Sequence, residues 1–261
     1  MNCPFCSTKK YRGENNSELL SLSKAKIFLD KFNSAYFVGL CGTGEPFLNP
    51  DLFAIARYAI QLRMKVHITT NGTVLYRRMD ELLASNIYSL EISLKGINGE
   101  DYARFTGRKE SEFCLIIASV KELSKCRNRP KLIMSYVCDR KRVYNIPRVV
   151  KIAEECKVDE MTFQNLIPNT VLKNESDCLY EDDKQWVLKL LNGSLRESCR
   201  IVVDGPTFYC RDSTRRNCTV PFRTLRIGAD GGVSGCDRAI APNLENGNAL
   251  TDNDVFNNEH F

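Results

Sequence analysis

Short runs rich in β-branched and aromatic residues alternate with longer runs whose apolar residues recur at helical spacing along the first two thirds of the chain. The strand-like runs are Ala35 to Cys41, Lys65 to Thr70, Tyr88 to Leu94, Lys131 to Cys138 and Glu160 to Ile167. Between them lie helix-like stretches at Glu18 to Phe32, Leu52 to Leu62, Met79 to Ala84, Glu112 to Leu123 and Ile146 to Ala153, the last running on to Cys156. Such alternation means parallel strands, because parallel neighbours need a crossover of a dozen or more residues and a helix supplies it. The fold class is α/β, either an open sheet or a barrel, and ligands in that architecture sit at the carboxyl ends of the strands.

The pattern changes after Ile167. A polar stretch from Pro168 to Asp183 leads into one more helix, Lys184 to Leu191, which Asn192-Gly193 is expected to stop. Beyond it come four cysteines and a β-hairpin, RTLRIGADGGVSGC, turning at Asp230-Gly231-Gly232. The expected division is 1–192 for the core and 193–261 for a small cysteine-containing extension.

A chain of 261 residues with 43% hydrophobic content can bury a large core. The sequence contains no apolar run of the eighteen or so residues that span a bilayer, and its start lacks the apolar segment of a signal peptide, so the expectation is a cytoplasmic protein with no membrane contact. Twelve cysteines in that setting point to thiols and metal ligands rather than disulfides. With two histidines, His67 and His260, cysteine must carry any metal chemistry. The net charge of +5 is mild and interleaved, which makes nucleic acid an unlikely partner; the basic cluster Arg211 to Arg216 reads more simply as a solvated loop.

Chemistry-bearing residues gather in three places. Cys3-Pro4-Phe5-Cys6 stands at the start, where a CxxC serves a redox dithiol, half a zinc site or part of an iron-sulfur site. The first strand runs into Gly42-Thr43-Gly44-Glu45-Pro46, where two glycines allow close approach of a ligand and Pro46 holds Glu45 extended. The next strand runs into Asn71-Gly72, and the third carries Ser93 inside an apolar run, where it reads equally well as a satisfied core hydroxyl. Taken singly, each is an ordinary turn or core feature.

In order, CPFC, GLCGTGEPFLNPDL, ITTNGTVL and EISLKGINGEDYARFTG resemble the radical S-adenosylmethionine (radical SAM) superfamily over about the first 165 residues. The resemblance implies a partial (β/α)6 barrel and a CxxxCxxC loop holding a 4Fe-4S cluster, with Cys3 and Cys6 matching its second and third cysteines. The first cysteine would fall two positions before Met1. The first barrel strand would also precede the sequence, so a clipped chain is expected, the alternative being a scaffold that has lost its cluster. The resemblance further places Phe5 near the adenine of S-adenosylmethionine, the backbone of Thr43, Gly44 and Glu45 at its methionine ammonium, and Asn71, Ser93 and Arg104 among the cofactor contacts. Thr43 stands where the superfamily usually has glycine, and Lys95 where it often has an acidic residue.

Cys218, twelve residues, Gly231, four residues and Cys236 resemble the opening of the SPASM or twitch extension, which binds an auxiliary iron-sulfur cluster in a subset of these enzymes. A pair of buried thiols is the plainer reading of the same two residues. The implied function is reductive cleavage of S-adenosylmethionine followed by hydrogen abstraction from a peptide or small-molecule substrate, with a flavodoxin or ferredoxin as electron donor. A zinc-dependent nucleic-acid module is the weaker alternative, since it leaves the βα units without a role.

Overall fold

The computed structural model describes residues 19–42, 44–167, 175–195, 201–211, 223–235 and 247–252. Among them, six strands form one all-parallel sheet in sequential order: β1 Phe37–Leu40, β2 Lys65–Thr70, β3 Ser89–Leu94, β4 Lys131–Cys138, β5 Glu160–Asn165 and β6 Val202–Asp204. The connecting helices are α2 Leu52–Gln61, α3 Met79–Ala84, α4 Gly99–Thr106, α5 Glu110–Lys125, α6 Ile146–Glu155 and α7 Lys184–Leu195, with α1 Leu22–Lys31 ahead of β1. The sheet does not close on itself, as a partial barrel requires.

The five expected strands are all present, trimmed by up to two residues at each end. Two elements go beyond the sequence reading. α4 is a separate eight-residue helix, capped by Asn98, whose side chain accepts the Asp101 amide, and ended by Gly107 in the left-handed conformation. β6 extends the sheet past residue 193, and α7 runs through Gly193 to Leu195, because a single helical glycine costs only about 1 kcal/mol.

The two faces of the sheet differ sharply. Val66 and Ile68 of β2, Leu90 and Ile92 of β3, Leu132 and Met134 of β4 and Met161 and Phe163 of β5 are buried in one core with the apolar faces of the helices. Each such side chain contributes roughly 1.5–3 kcal/mol. The other face carries His67, Thr69, Glu91, Ser93, Ser135 and Thr162 at every second position. A parallel sheet covered by helices on both sides is apolar on both. This one leaves its inner face polar along β2 and β3.

The expected hairpin forms, with β7 Arg226–Ile227 antiparallel to β8 Val233–Ser234 around the Gly228–Gly232 turn. It docks on α1: Phe28, Val233 and Ala249 form a second small core, and Lys24 and Lys31 donate to the Ala229 and Ala249 carbonyls.

Candidate functional site

The carboxyl ends of β1, β2 and β3 converge, and Glu45 is the joint between the first two. One carboxylate oxygen accepts the Thr70 hydroxyl at 2.6 Å and the Phe47 amide at 3.1 Å; the other accepts the Asn71 amide at 2.8 Å. Its side chain is therefore spent on holding the loop, which leaves the backbone of Gly42 and Gly44 as the exposed surface. A Cβ placed on either glycine would meet no atom of the described residues within 4 Å. Among the described residues this leaves open backbone beside a fixed anchor.

Asn71 closes the β2 exit by accepting the Thr73 amide and hydroxyl at 2.9 and 2.6 Å. Gly72 follows at φ 79°, and a Cβ there would lie 2.9 Å from the Ile116 side chain, so a larger residue would be strained. At the β3 exit, Lys95 Nζ donates to Ser93 Oγ at 2.6 Å. Gly96 packs so closely on α4 that a Cβ would stand 2.6 Å from the Tyr102 nitrogen.

Arg104 lies on α4 with its side chain 77% exposed, paired with Asp101 at 2.8 Å. The structure thus brings Gly44, Glu45, Asn71 and Ser93 to one rim and puts Arg104 on the outer surface of the neighbouring helix. Phe5, Thr43, Cys3, Cys6, Cys218 and Cys236 lie outside the described residues. Among the described residues no three metal-ligating side chains cluster.

Three residues at this site carry no sequence signal strong enough to select them. Arg142 is buried, its guanidinium between the rings of Phe105 and Tyr136 at 3.9 and 4.6 Å, and it donates to the Lys95 carbonyl at 2.9 Å. It locks the β3 exit to the β4 exit, while its Nη1 meets no partner among the described residues. His67 and Glu91 sit on the inner face, Nε2 to Oε2 at 3.3 Å, with His67 Nδ1 2.8 Å from the Ser89 hydroxyl. Burial pushes the Glu91 carboxyl up, but its contacts with His67 and Ser135 and the charges of His67 and Lys95 outweigh it and hold the group below its ordinary range. Ser135 lies close to that carboxylate, but among the described residues no atom stands in full hydrogen-bond geometry with its hydroxyl.

A family model described as the Radical SAM superfamily matches residues 1–139. An AdoMet-dependent heme synthase of Methanosarcina barkeri is 28% identical over 204 residues, which cover 76% of this chain and 56% of that protein. The chain spans about half the length of the curated relatives it matches. Among solved structures, Streptococcus suis SuiB bound to S-adenosylmethionine superposes with a TM-score of 0.78 at 16% identity, covering 97% of this chain and 61% of that one; SuiB has also been solved with its precursor peptide SuiA. The structure of anSMEcpe with AdoMet and a Kp18Cys peptide superposes at 0.70 and 14% identity, covering 100% of this chain and 77% of that one. At these identities the likeness to solved structures is one of fold.

Proposed function

Because the chain belongs to the radical SAM superfamily, we propose that it binds S-adenosylmethionine at the carboxyl ends of β1 to β3 and abstracts hydrogen from a peptide or small-molecule substrate. The carrying observation is that the matched region, residues 1–139, contains both the CxxC and the Gly42–Glu45 loop that Glu45 fixes to Thr70 and Asn71. Cys3 and Cys6 would be ligands of a 4Fe-4S cluster, as soft thiolates suit iron-sulfur sites. That cluster supplies the electron for reductive cleavage of the sulfonium, delivered from a flavodoxin or ferredoxin.

The chain's own residues do the positioning. The loop backbone at Thr43, Gly44 and Glu45 receives the methionine end; Asn71 and Ser93 border the same rim, and Phe5 and Arg104 complete the proposed set of contacts. Support for a peptide substrate comes from SuiB and anSMEcpe, fold relatives solved with peptides. Support for an auxiliary iron-sulfur cluster at Cys218 and Cys236 comes from their spacing about a hairpin that docks on α1, the helix following the CxxC. In the described residues no helix is long and apolar enough to cross a membrane. The cytoplasm is the proposed setting, since a reducing compartment preserves free thiols.

The test is anaerobic reconstitution with iron and sulfide followed by electron paramagnetic resonance of the reduced protein. In protein carrying all three cysteines of the CxxxCxxC loop, the expected result is a 4Fe-4S signal that changes on adding S-adenosylmethionine. A signal indifferent to it would contradict the reading.

A further inference from the structure

The inner face of the sheet carries a charge that cofactor binding at the rim does not use. Parallel register puts Thr69 beside Glu91 and Ser93 beside Ser135, so Glu91 lies one inward-facing layer below Ser93. Its side chain is 16% exposed and that of His67 15%. Below them, at the amino end of the face, the half-exposed Phe37 stacks on His67 at 5.9 Å and meets Tyr88 edge-on at 6.5 Å. The carboxyl end, where Ser93 and Lys95 stand, is the rim already described.

A desolvated carboxylate is costly unless it is paired, and an apolar residue would have packed here at no such cost. A carboxylate also has about four acceptor positions. His67 stands against one at 3.3 Å, and among the described residues the Ser135 hydroxyl makes no hydrogen bond.

We infer that Glu91 is a substrate-recognition residue: its carboxylate, paired with His67 one layer beneath the cofactor rim, takes a cationic N–H group of the substrate, a guanidinium or an ammonium. The inference rests on the proposed function, since it sets the substrate on the inner face below the cofactor. Thr69 and Ser89 act through His67, whose two ring nitrogens they hold at 3.1 and 2.8 Å, and so fix the edge it presents to Glu91.

His67 makes the site directly readable. The sequence has two histidines, His67 and His260, so the full chain labelled with 13C at histidine Cε1 gives two signals, which a His260→Gln variant assigns. The probes are methylguanidinium chloride and its neutral isostere N-methylurea, titrated to millimolar concentration at constant ionic strength. The expected result is a saturable shift of the His67 signal with methylguanidinium, no comparable shift with N-methylurea, and an unmoved His260 signal. In Glu91→Gln the methylguanidinium response should weaken about tenfold or vanish, the loss of one charge-assisted hydrogen bond. No His67 shift, or equal shifts from both probes, overturns the inference, and this comparison needs no variant to fold. An undiminished response in Glu91→Gln overturns it as well. The outcome is separable from the proposed function: wild-type protein that cleaves S-adenosylmethionine while His67 ignores methylguanidinium removes the inference alone, and protein that binds no S-adenosylmethionine removes the reading beneath it.

Discussion

The carboxylate of Glu45 receives the Thr70 hydroxyl at 2.6 Å and so ties the loop leaving β1 to the last residue of β2. Glu45→Ala would strand that hydroxyl and the Asn71 amide together. The expected cost is about 1–3 kcal/mol in urea unfolding, with weaker S-adenosylmethionine binding in equilibrium dialysis. Wild-type affinity in this variant would mean that the loop is held by other means.

Gly44 and Gly96 should respond in opposite ways to the same substitution. Around Gly44 a methyl group meets no atom of the described residues, whereas at Gly96 it collides with the backbone of Tyr102. Gly44→Ala should leave stability within about 0.5 kcal/mol of wild type and impair S-adenosylmethionine binding. Gly96→Ala should destabilise by about 1–3 kcal/mol or more. Thermal unfolding and dialysis of both variants make the comparison.

Asp159 gives a pH dependence with a definite sign. Arg129 grips its carboxylate at 2.5 and 2.8 Å, and with the Leu132 amide this holds the group below the ordinary aspartate range. A depressed folded-state pKa contributes stability above the unfolded value of about 3.9 and loses it as pH falls through the folded value. The stability difference between wild type and Asp159→Asn should therefore be largest near neutrality and shrink as pH falls from about 4. Asp159 is partly exposed, so the effect should also be modest and diminish with salt.

Val233 tests the docking of the hairpin on α1. It is fully buried against Phe28 and Ala249, and Val233→Asp would bury an unpaired charge. Hydrogen exchange should quicken in Leu22–Lys31 and Arg226–Ser234 while the central strands β3 and β4 keep their protection. Uniform loss across the sheet would mean that the hairpin is integral to the main core.

The alternating elements were legible because turn formers bracket each β-branched run, and Met79–Ala84 is a helix with the bounds its sequence suggests. β6 is harder to read: three residues, Val202–Asp204, carry too little period to tell a strand from a loop, and only the open edge of β5 makes them one. The rim was legible as far as glycines and a strand-end glutamate mark it. The inner face was not, because Ser93 alone is indistinguishable from a satisfied core hydroxyl. It becomes a site only when parallel register sets it beside Ser135 and sets Thr69 beside Glu91. Arg142 was hidden for a similar reason, since its partner, the Lys95 carbonyl, lies 47 residues away in sequence.

The most direct measurement of the central claim is 5′-deoxyadenosine released from S-adenosylmethionine under anaerobic, reducing conditions, quantified by mass spectrometry for wild type, Cys6→Ala and Cys126→Ala, each in protein carrying all three cysteines of the CxxxCxxC loop. Cys126 stands at the C-terminal end of α5 with its thiol against the Glu122 carbonyl, so its loss should leave the product intact. Wild type and Cys126→Ala are expected to form 5′-deoxyadenosine and Cys6→Ala to form none. Product from Cys6→Ala at the wild-type rate, or none from wild type, would contradict the account.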